Sequence, residues 1–198
     1  AMSAISVSMS LTIINGGISA LIGVGSASIV SRAIGKGDKE TIDKIFGNFC
    51  YWVILFSAII TIVGLIFAPH FLDMVGAKGN IKELGVRYLR VVFFGSLFVN
   101  FAQAGNMTMR GEGALKQSMM IMGTGAILNI MLGPILMKLM GEYAIEGAAI
   151  ATVLSQIVQA LLTFHYFSKK SSFVKIHKVK KYKAIYREMF SIGSSAMM

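Results

Sequence analysis

Side-chain amides stand inside stretches of this sequence that otherwise carry few polar groups. The amides concerned are Gln103, Asn106, Asn129, Gln156 and Gln159. An amide that faces acyl chains is costly, so each of these groups should face protein or a water-filled space. Small and hydroxyl residues at helical spacing have a plainer use, since they let helices approach and bond to one another. That use accounts for most Gly, Ala and Ser positions, whereas the amides predict a cavity with a polar lining.

One hydroxyl residue belongs with these amides. Thr152 precedes Gln156 and Gln159 by four and seven residues, which puts the three side chains on one face of a helix. Neutral oxygens of this kind can ligate a hard cation such as Na⁺. The candidate residues for binding a cation or a substrate are Gln103, Asn106, Asn129, Thr152 and Gln156.

Patterns that would indicate an enzyme are missing from the sequence. Gly35-Lys36-Gly37-Asp38 lacks the Ser or Thr that a phosphate-binding loop requires after its lysine. The three histidines do not stand at metal-ligand spacing, and the single cysteine cannot form an internal disulfide. All nine carboxylates fall in loops or at the ends of apolar runs, although proton relays through membranes usually use such a group at depth. We therefore predict no catalytic residue, no metal site and no cofactor.

The elements that carry the candidate residues must be membrane helices. The chain has 198 residues, 14% of them charged, and a mean hydropathy of +0.70, while soluble domains carry about 25% charged residues. Runs of about 20 apolar residues can cross a bilayer, and only helices satisfy their own backbone there. We predict an all-α integral membrane bundle, with spans over residues 3–31, 46–68, 84–109, 117–140 and 145–167, and a further span beginning near Glu188.

The basic residues lie unevenly between alternate loops. Three loops on one side hold 14 Lys and Arg, against 5 on the other side, so the first side should be cytoplasmic. This placement argues against nucleic-acid binding despite a net charge of +10. The longest and most basic loop, 169–187, divides a first domain, 1–168, from a new apolar stretch, 188–198. This loop is either a solvated linker or an amphipathic segment on the inner leaflet. The chain begins and stops within apolar stretches, so we expect a fragment.

Four motifs give the sequence a family resemblance. They are Gly35-Lys36-Gly37-Asp38, Arg110-Gly111-Glu112-Gly113, residues 127–134 (Ile-Leu-Asn-Ile-Met-Leu-Gly-Pro) and residues 147–153 (Gly-Ala-Ala-Ile-Ala-Thr-Val). Together they resemble the multidrug and toxin extrusion (MATE) family over essentially the whole chain. The resemblance implies twelve helices in two lobes, of which this chain would supply helices two to six of the amino lobe and the start of helix seven. The carboxy-terminal lobe would be the missing partner.

The resemblance also implies a function. Members export organic cations and other drugs in exchange for a coupling ion, Na⁺ or H⁺, by alternating access, and we expect a multi-pass protein of the plasma membrane, the inner membrane of a bacterium. Some members have an amino-lobe cation site whose Asn and Thr correspond to Asn129 and Thr152, with Asn106 a candidate neighbour. One acid of that site belongs to the first helix, and the position of the other is taken by Gly133.

Two rival functions stay open at this point. A flippase of lipid-linked oligosaccharides or polysaccharides, from the same superfamily, should show a more basic cavity, whereas no Lys or Arg is expected at mid-membrane depth here. A non-transporting membrane scaffold would need Asn129 and Thr152 for folding but never for ion dependence.

Overall fold

Seven helices make up the part of the chain that the computed structural model describes, which is residues 2–74, 76–174 and 182–195, with side chains from Gly16 onward. Two shorter turns adjoin α6: a 3₁₀ turn at Gly141–Tyr143 and a π-helical turn at Tyr166–Lys170. Every regular element in these ranges is helical, which confirms the predicted fold class. The helices are α1 (Met2–Lys36), α2 (Lys39–Met74), α3 (Gly79–Phe94), α4 (Ser96–Gly111), α5 (Leu115–Met140), α6 (Ala144–His165) and α7 (Lys183–Ser195).

Several helices are long and apolar enough to cross a membrane. Within the described residues three helical stretches pass this test, and the bent pair α3 and α4 makes a fourth when it is counted as one span. The longest stretch, Leu115–Lys170, contains α5 and α6. These two helices pack along each other, so the chain folds back at Gly141–Tyr143 and the stretch makes two passes.

The tight corner between α1 and α2 explains one of the sequence motifs. Gly37 has a φ of 68°, a left-handed conformation that glycine adopts without strain, and it ends α1. The amides of Gly37 and Asp38 return to the carbonyls of Ile34 and Ala33 at 3.1 and 2.9 Å. Asp38 then caps α2 by accepting hydrogen bonds from the backbone and hydroxyl of Thr41. The Gly-Asp pair is therefore a helix stop followed by a helix start.

The third predicted span, 84–109, is not one straight helix. It breaks at Gly95, where α3 and α4 meet at an angle of 56°. A break in lipid leaves carbonyls that need new partners. Thr61 of α2 donates to the carbonyl of Phe93 at 2.9 Å and contacts the hydroxyl of Ser96 at 2.7 Å. The Thr61 hydroxyl of α2 thus stabilises a bend that the sequence pattern did not predict.

Three of the basic loops meet at one end of the bundle, called the basic end below. The backbone of Tyr182 donates to Asn48 at 2.9 Å, and Arg32 pairs with Glu188 at 2.8 Å. Helix α7 packs on α1, with Met189 fully buried. A core of aromatic and aliphatic side chains lies beneath these contacts, and it includes Phe46, Phe49, Val53, Met109 and Phe167.

The basic loop predicted at 169–187 is shorter than expected. Helical structure continues through Lys170 as the π-helical turn, and α7 begins at Lys183, ahead of the predicted start at Glu188. Residues 175–181, on which the amphipathic or linker interpretation depends, lie outside the described ranges. The division into an amino lobe and a following lobe stays a prediction.

Candidate functional site

A cavity of about 540 Å³ opens between α4, α5 and α6. Its volume lies within the range of small-molecule sites. All five amides that predicted a polar cavity line it, together with the hydroxyls of α6, and no Asp or Glu is among its lining residues. The lining residues are Gln103, Asn106, Met107, Arg110, Met122, Gly125, Ala126, Asn129, Thr152, Ser155, Gln156 and Gln159. The structure thus brings the five candidate binding residues together, while their binding role stays a prediction.

Asn129 and Thr152 form the direct link between α5 and α6 in this cavity. The amide nitrogen of Asn129 donates to the hydroxyl of Thr152 at 3.1 Å, and that hydroxyl donates to the carbonyl of Ala148 at 3.1 Å. Both side chains are only partly buried. Because nothing in the described chain donates to Oδ1 of Asn129, this oxygen is available to a ligand.

Gln156 and Gln159 occupy the same face of α6 but differ in their bonding. Nε2 of Gln159 donates to the carbonyl of Met122 at 3.3 Å. Oε1 of Gln156 is buried and has no hydrogen-bond partner among the described residues. A buried oxygen without a partner costs free energy. The cavity therefore contains bonding capacity that the helices themselves do not use.

Gly125 allows α5 to approach α6 at the level of these glutamines. A Cβ atom at this position would overlap Nε2 of Gln159, far inside van der Waals contact. A glycine is therefore needed at position 125 for Gln159 to pack against α5 at the cavity wall.

A chain of polar contacts closes the cavity toward the basic end. Asn106 donates to the carbonyl of Ala102 at 2.7 Å and accepts a bond from the hydroxyl of Ser118 at 3.0 Å. Arg110 reaches the hydroxyl of Ser118 at 3.3 Å and the sulfur of Met122 at 3.0 Å. Arg110 was expected in a loop, but it lies in the last turn of α4 and its side chain enters the cavity.

Asn100 is a third amide on α4, but unlike Gln103 and Asn106 it does not line the cavity. It stands three residues before Gln103 but turns toward α1 and α2, where it accepts a bond from Ser19 at 2.5 Å and donates to Ser57 at 2.9 Å. Asn100 is fully buried and joins three helices. Its hydrogen bonds are those of a packing residue.

Gly133 lines a second space, of about 410 Å³, on the side away from the basic end. Asn129 and Thr152 line it as well, and Tyr88 of α3 closes it. No carboxylate belongs to its lining among the described residues. The acid that the resemblance implies at position 133 has no substitute there, and the oxygens near Asn129 are neutral.

Glu112 is a buried carboxylate that the sequence placed in a loop. It follows α4 and is only 9% exposed. The backbone of Phe173 donates to Oε1 at 2.8 Å and that of Val174 at 3.3 Å, while Tyr166 donates to Oε2 at 3.0 Å. The Ser171 hydroxyl also bonds Oε1. Glu112 thus holds the chain that leaves α6 in place. No local sequence pattern predicts this role, because the groups that donate to Glu112 lie more than fifty residues further on.

No group of three or more His, Cys, Asp or Glu side chains comes together within the described part of the chain. The oxygens of Asn129, Thr152 and Gln156 are among the neutral polar atoms of the cavity lining.

Comparison with known proteins agrees with this architecture. The MatE family model matches residues 1–135. The multidrug export protein MepA of Staphylococcus aureus is 32% identical over 199 residues, which cover 99% of this chain and 44% of that protein. The chain therefore spans less than half the length of this relative.

Solved structures are similar in both transport conformations. An inward-facing multidrug resistance MATE family transporter of the MOP superfamily superposes with a TM-score of 0.91 at 30% identity, over 97% of this chain and 44% of that one. An outward-facing structure superposes with a TM-score of 0.90 at 30% identity, over 98% and 43%. The family-model match over residues 1–135, the 32% identity to MepA and the superposition on solved MATE transporters together establish that this chain belongs to the MATE family.

Proposed function

We propose that the protein containing this chain is a secondary active multidrug exporter that exchanges a drug for Na⁺ or H⁺ by alternating access in the plasma membrane. The observation that carries the proposal is the cavity between α4, α5 and α6, which gathers the amides from three helices around a space of about 540 Å³. Its relatives bear the names of multidrug export and multidrug resistance proteins. Organic cations and other drugs are the proposed substrates, and the bilayer and a second lobe are the proposed partners.

The described residues suit weak binding of a cation. Asn129 and Thr152 offer neutral oxygens, and Gln156 adds an oxygen without a protein partner. Neutral ligands hold a cation less tightly than carboxylates, and an ion that must leave on the other side needs only moderate affinity. The membrane potential supplies about 2.3 kcal/mol per charge for each 100 mV. Ion exchange can therefore drive export without nucleotide hydrolysis.

The proposal is tested by efflux measurements on the complete product of the gene that encodes this chain. The protein is expressed in a drug-sensitive bacterial host, and ethidium efflux is followed with Na⁺ present, with Na⁺ absent, and after collapse of the pH gradient. Efflux should depend on one of the two ion gradients. Efflux that persists without either gradient, or no efflux at normal expression, overturns the proposal.

Two variants connect the activity to the cavity. Thr152→Val removes the hydroxyl that Asn129 contacts and should raise the ion concentration needed for half-maximal efflux. Ser168→Ala is the matched control, because Ser168 is exposed and donates to the carbonyl of Phe164 four residues earlier, as Thr152 does to Ala148. Equal ion dependence in the two variants would contradict a role for Thr152 and favour a packing function.

Arg110 is the observation that favours a second candidate function. A guanidinium at the cavity wall suits an anionic group, as in a lipid-linked saccharide diphosphate. If the protein is a flippase, the Arg110→Gln variant should lose activity, and the wild type should stay active after both ion gradients are collapsed. If it is an exporter of cationic drugs, the Arg110→Gln variant should still depend on an ion gradient.

A further inference from the structure

We infer that the outer groove between α5 and α6 at the basic end is a binding site for an anionic phospholipid. The groove encloses about 210 Å³, and its lining residues on α5 and α6 differ from those of the cavity between α4, α5 and α6. Its position is independent of the transport proposal, because none of its lining residues lines that cavity.

The surface end of the groove carries groups that bind phosphate. His165 lines it from the end of α6, Lys170 from the π-helical turn that follows, and Gln117 from the first turn of α5. Ammonium, imidazole and amide groups all donate hydrogen bonds to phosphate oxygens. The first turn of α5 has no side-chain cap, and it adds the positive end of a helix dipole.

No acid competes for these donors within the groove. Its lining contains no Asp or Glu, and neither Lys170 nor His165 has an ion-pair partner among the described residues. Glu112 lines the neighbouring space, but its carboxylate is already bonded to Tyr166, Ser171 and two backbone amides. Lys170 and Gln117 line that neighbouring space too, but Lys170 forms no ion pair with Glu112 among the described residues, so its ammonium group keeps its donors for an external anion.

The deeper part of the groove is apolar, which identifies the anion as a lipid. Met120 and Leu162 lie one helical turn further from the basic end than Gln117 and His165, a step of about 4.5 Å. Both are open to the surroundings, with Met120 63% exposed. A phosphate at Lys170 with an acyl chain along Met120 and Leu162 matches this change from polar to apolar. The positive-inside rule places the basic end in the cytoplasmic leaflet, where anionic lipids attract basic residues.

Native mass spectrometry of the complete, detergent-purified protein tests the site. The protein is incubated with dioleoyl-phosphatidylglycerol or with dioleoyl-phosphatidylcholine, which has the same chains and no net charge. Lys170→Gln should lower retention of phosphatidylglycerol about fivefold, the effect of removing one basic contact, and leave phosphatidylcholine unchanged. Lys36→Gln, an exposed lysine at the same end but outside the groove, is the matched control.

Two further arms keep the test decisive. Leu162→Asn should lower retention of both lipids at the groove, because it removes the apolar contact for the chain. Glycerol 3-phosphate, which has the anion without the chains, should not displace phosphatidylglycerol at equal concentration. Equal retention in Lys170→Gln and Lys36→Gln overturns the site, and displacement by glycerol 3-phosphate overturns the lipid in favour of a soluble phosphate.

Discussion

Two groups of polar side chains, one in the cavity between α4, α5 and α6 and one at the basic end around Glu112, use their bonding capacity differently. In the cavity, Gln156 leaves an oxygen unpaired and Asn129 keeps Oδ1 free of protein donors. At the basic end, both oxygens of Glu112 are bonded to the chain that follows α6. The first group retains capacity for a ligand, and the second has used it within the fold.

This difference separates binding residues from structural ones more sharply than polarity does. The Oε1 atom of Gln156 and the carboxylate of Glu112 are both buried polar groups, and both arrangements cost desolvation. Saturated groups recover that cost within the protein, so their loss should reduce stability. Groups with spare capacity recover it only when a ligand is present, so their loss should reduce activity instead.

The largest effect on stability is expected for Glu112→Ala. It leaves two backbone amides, Tyr166 and Ser171 without their shared acceptor, so the free energy of unfolding should fall by at least about 3 kcal/mol, given about 1.5–3 kcal/mol for a bond to a charged group. The apparent melting temperature in detergent, followed by far-ultraviolet circular dichroism, measures it. Glu142→Ala removes an exposed acid as the control, and an equal loss there would break the comparison.

A smaller loss is expected where the cavity wall is tightest. Gly125→Ala puts a methyl group against Gln159, so it should cost about 1–3 kcal/mol, as overpacking does, and reduce ethidium efflux. Gly123→Ala on the same helix meets open space and should gain up to about 1 kcal/mol from helix propensity. If both variants behave alike in melting and efflux assays, the wall does not depend on the contact at Gly125.

Replacement of the unpaired amide should separate stability from activity. Gln156→Leu removes a buried oxygen that has no partner, so stability should hold or rise by about 1 kcal/mol, while efflux falls. Gln159→Leu is the matched variant, and it should lower stability because it removes the bond to Met122. A destabilised Gln156→Leu protein would show that its oxygen is structural.

The smallest effect on stability is expected at Asp38, whose carboxylate accepts hydrogen bonds within the fold as Glu112 does, but is exposed to solvent. Hydrogen bonds from the Thr41 hydroxyl and backbone lower the pKa of Asp38 below its ordinary value of 3.8. The ionised form therefore stabilises the fold above that value, and the contribution is lost as the pH falls through the lowered pKa. Asp38→Ala should melt slightly below the wild type at neutral pH, and the gap should close on acidification. Asp38→Asn keeps the helix cap but should not show this pH dependence. If the difference in melting temperature between Asp38→Ala and the wild type persists in acid, ionisation of Asp38 is not its cause.

The helices and the cavity could be predicted from the sequence because both follow from the large free-energy cost of placing unpaired polar groups in lipid. An unpaired backbone or an amide is expensive in lipid, so long apolar runs must be helices and their amides must face inward. This cost led us to predict that five polar residues share a cavity, and the structure puts all five around one space: Gln103, Asn106, Asn129, Thr152 and Gln156.

The features that were missed depend on partners distant in sequence. The bend at Gly95 depends on Thr61, more than thirty residues earlier on α2. Arg110 was counted as a loop residue because a charge at the end of an apolar run looks the same whether it faces solvent or a cavity. Asn100 follows the same periodicity as Gln103, and only the packing of α1 and α2 directs it elsewhere.

Because of the bend between α3 and α4, the angle at Gly95 sets the direction in which α4 runs. Its 16 residues extend about 24 Å from the hinge, and Arg110 sits near the far end. A rotation of about 5° at the hinge would move that end by about 2 Å, on the order of a helix shift in an allosteric transition. The hydroxyls of Thr61 and Ser96 contact each other beside this bend at 2.7 Å, so removing either hydroxyl would test whether their contact sets the position of the cavity mouth.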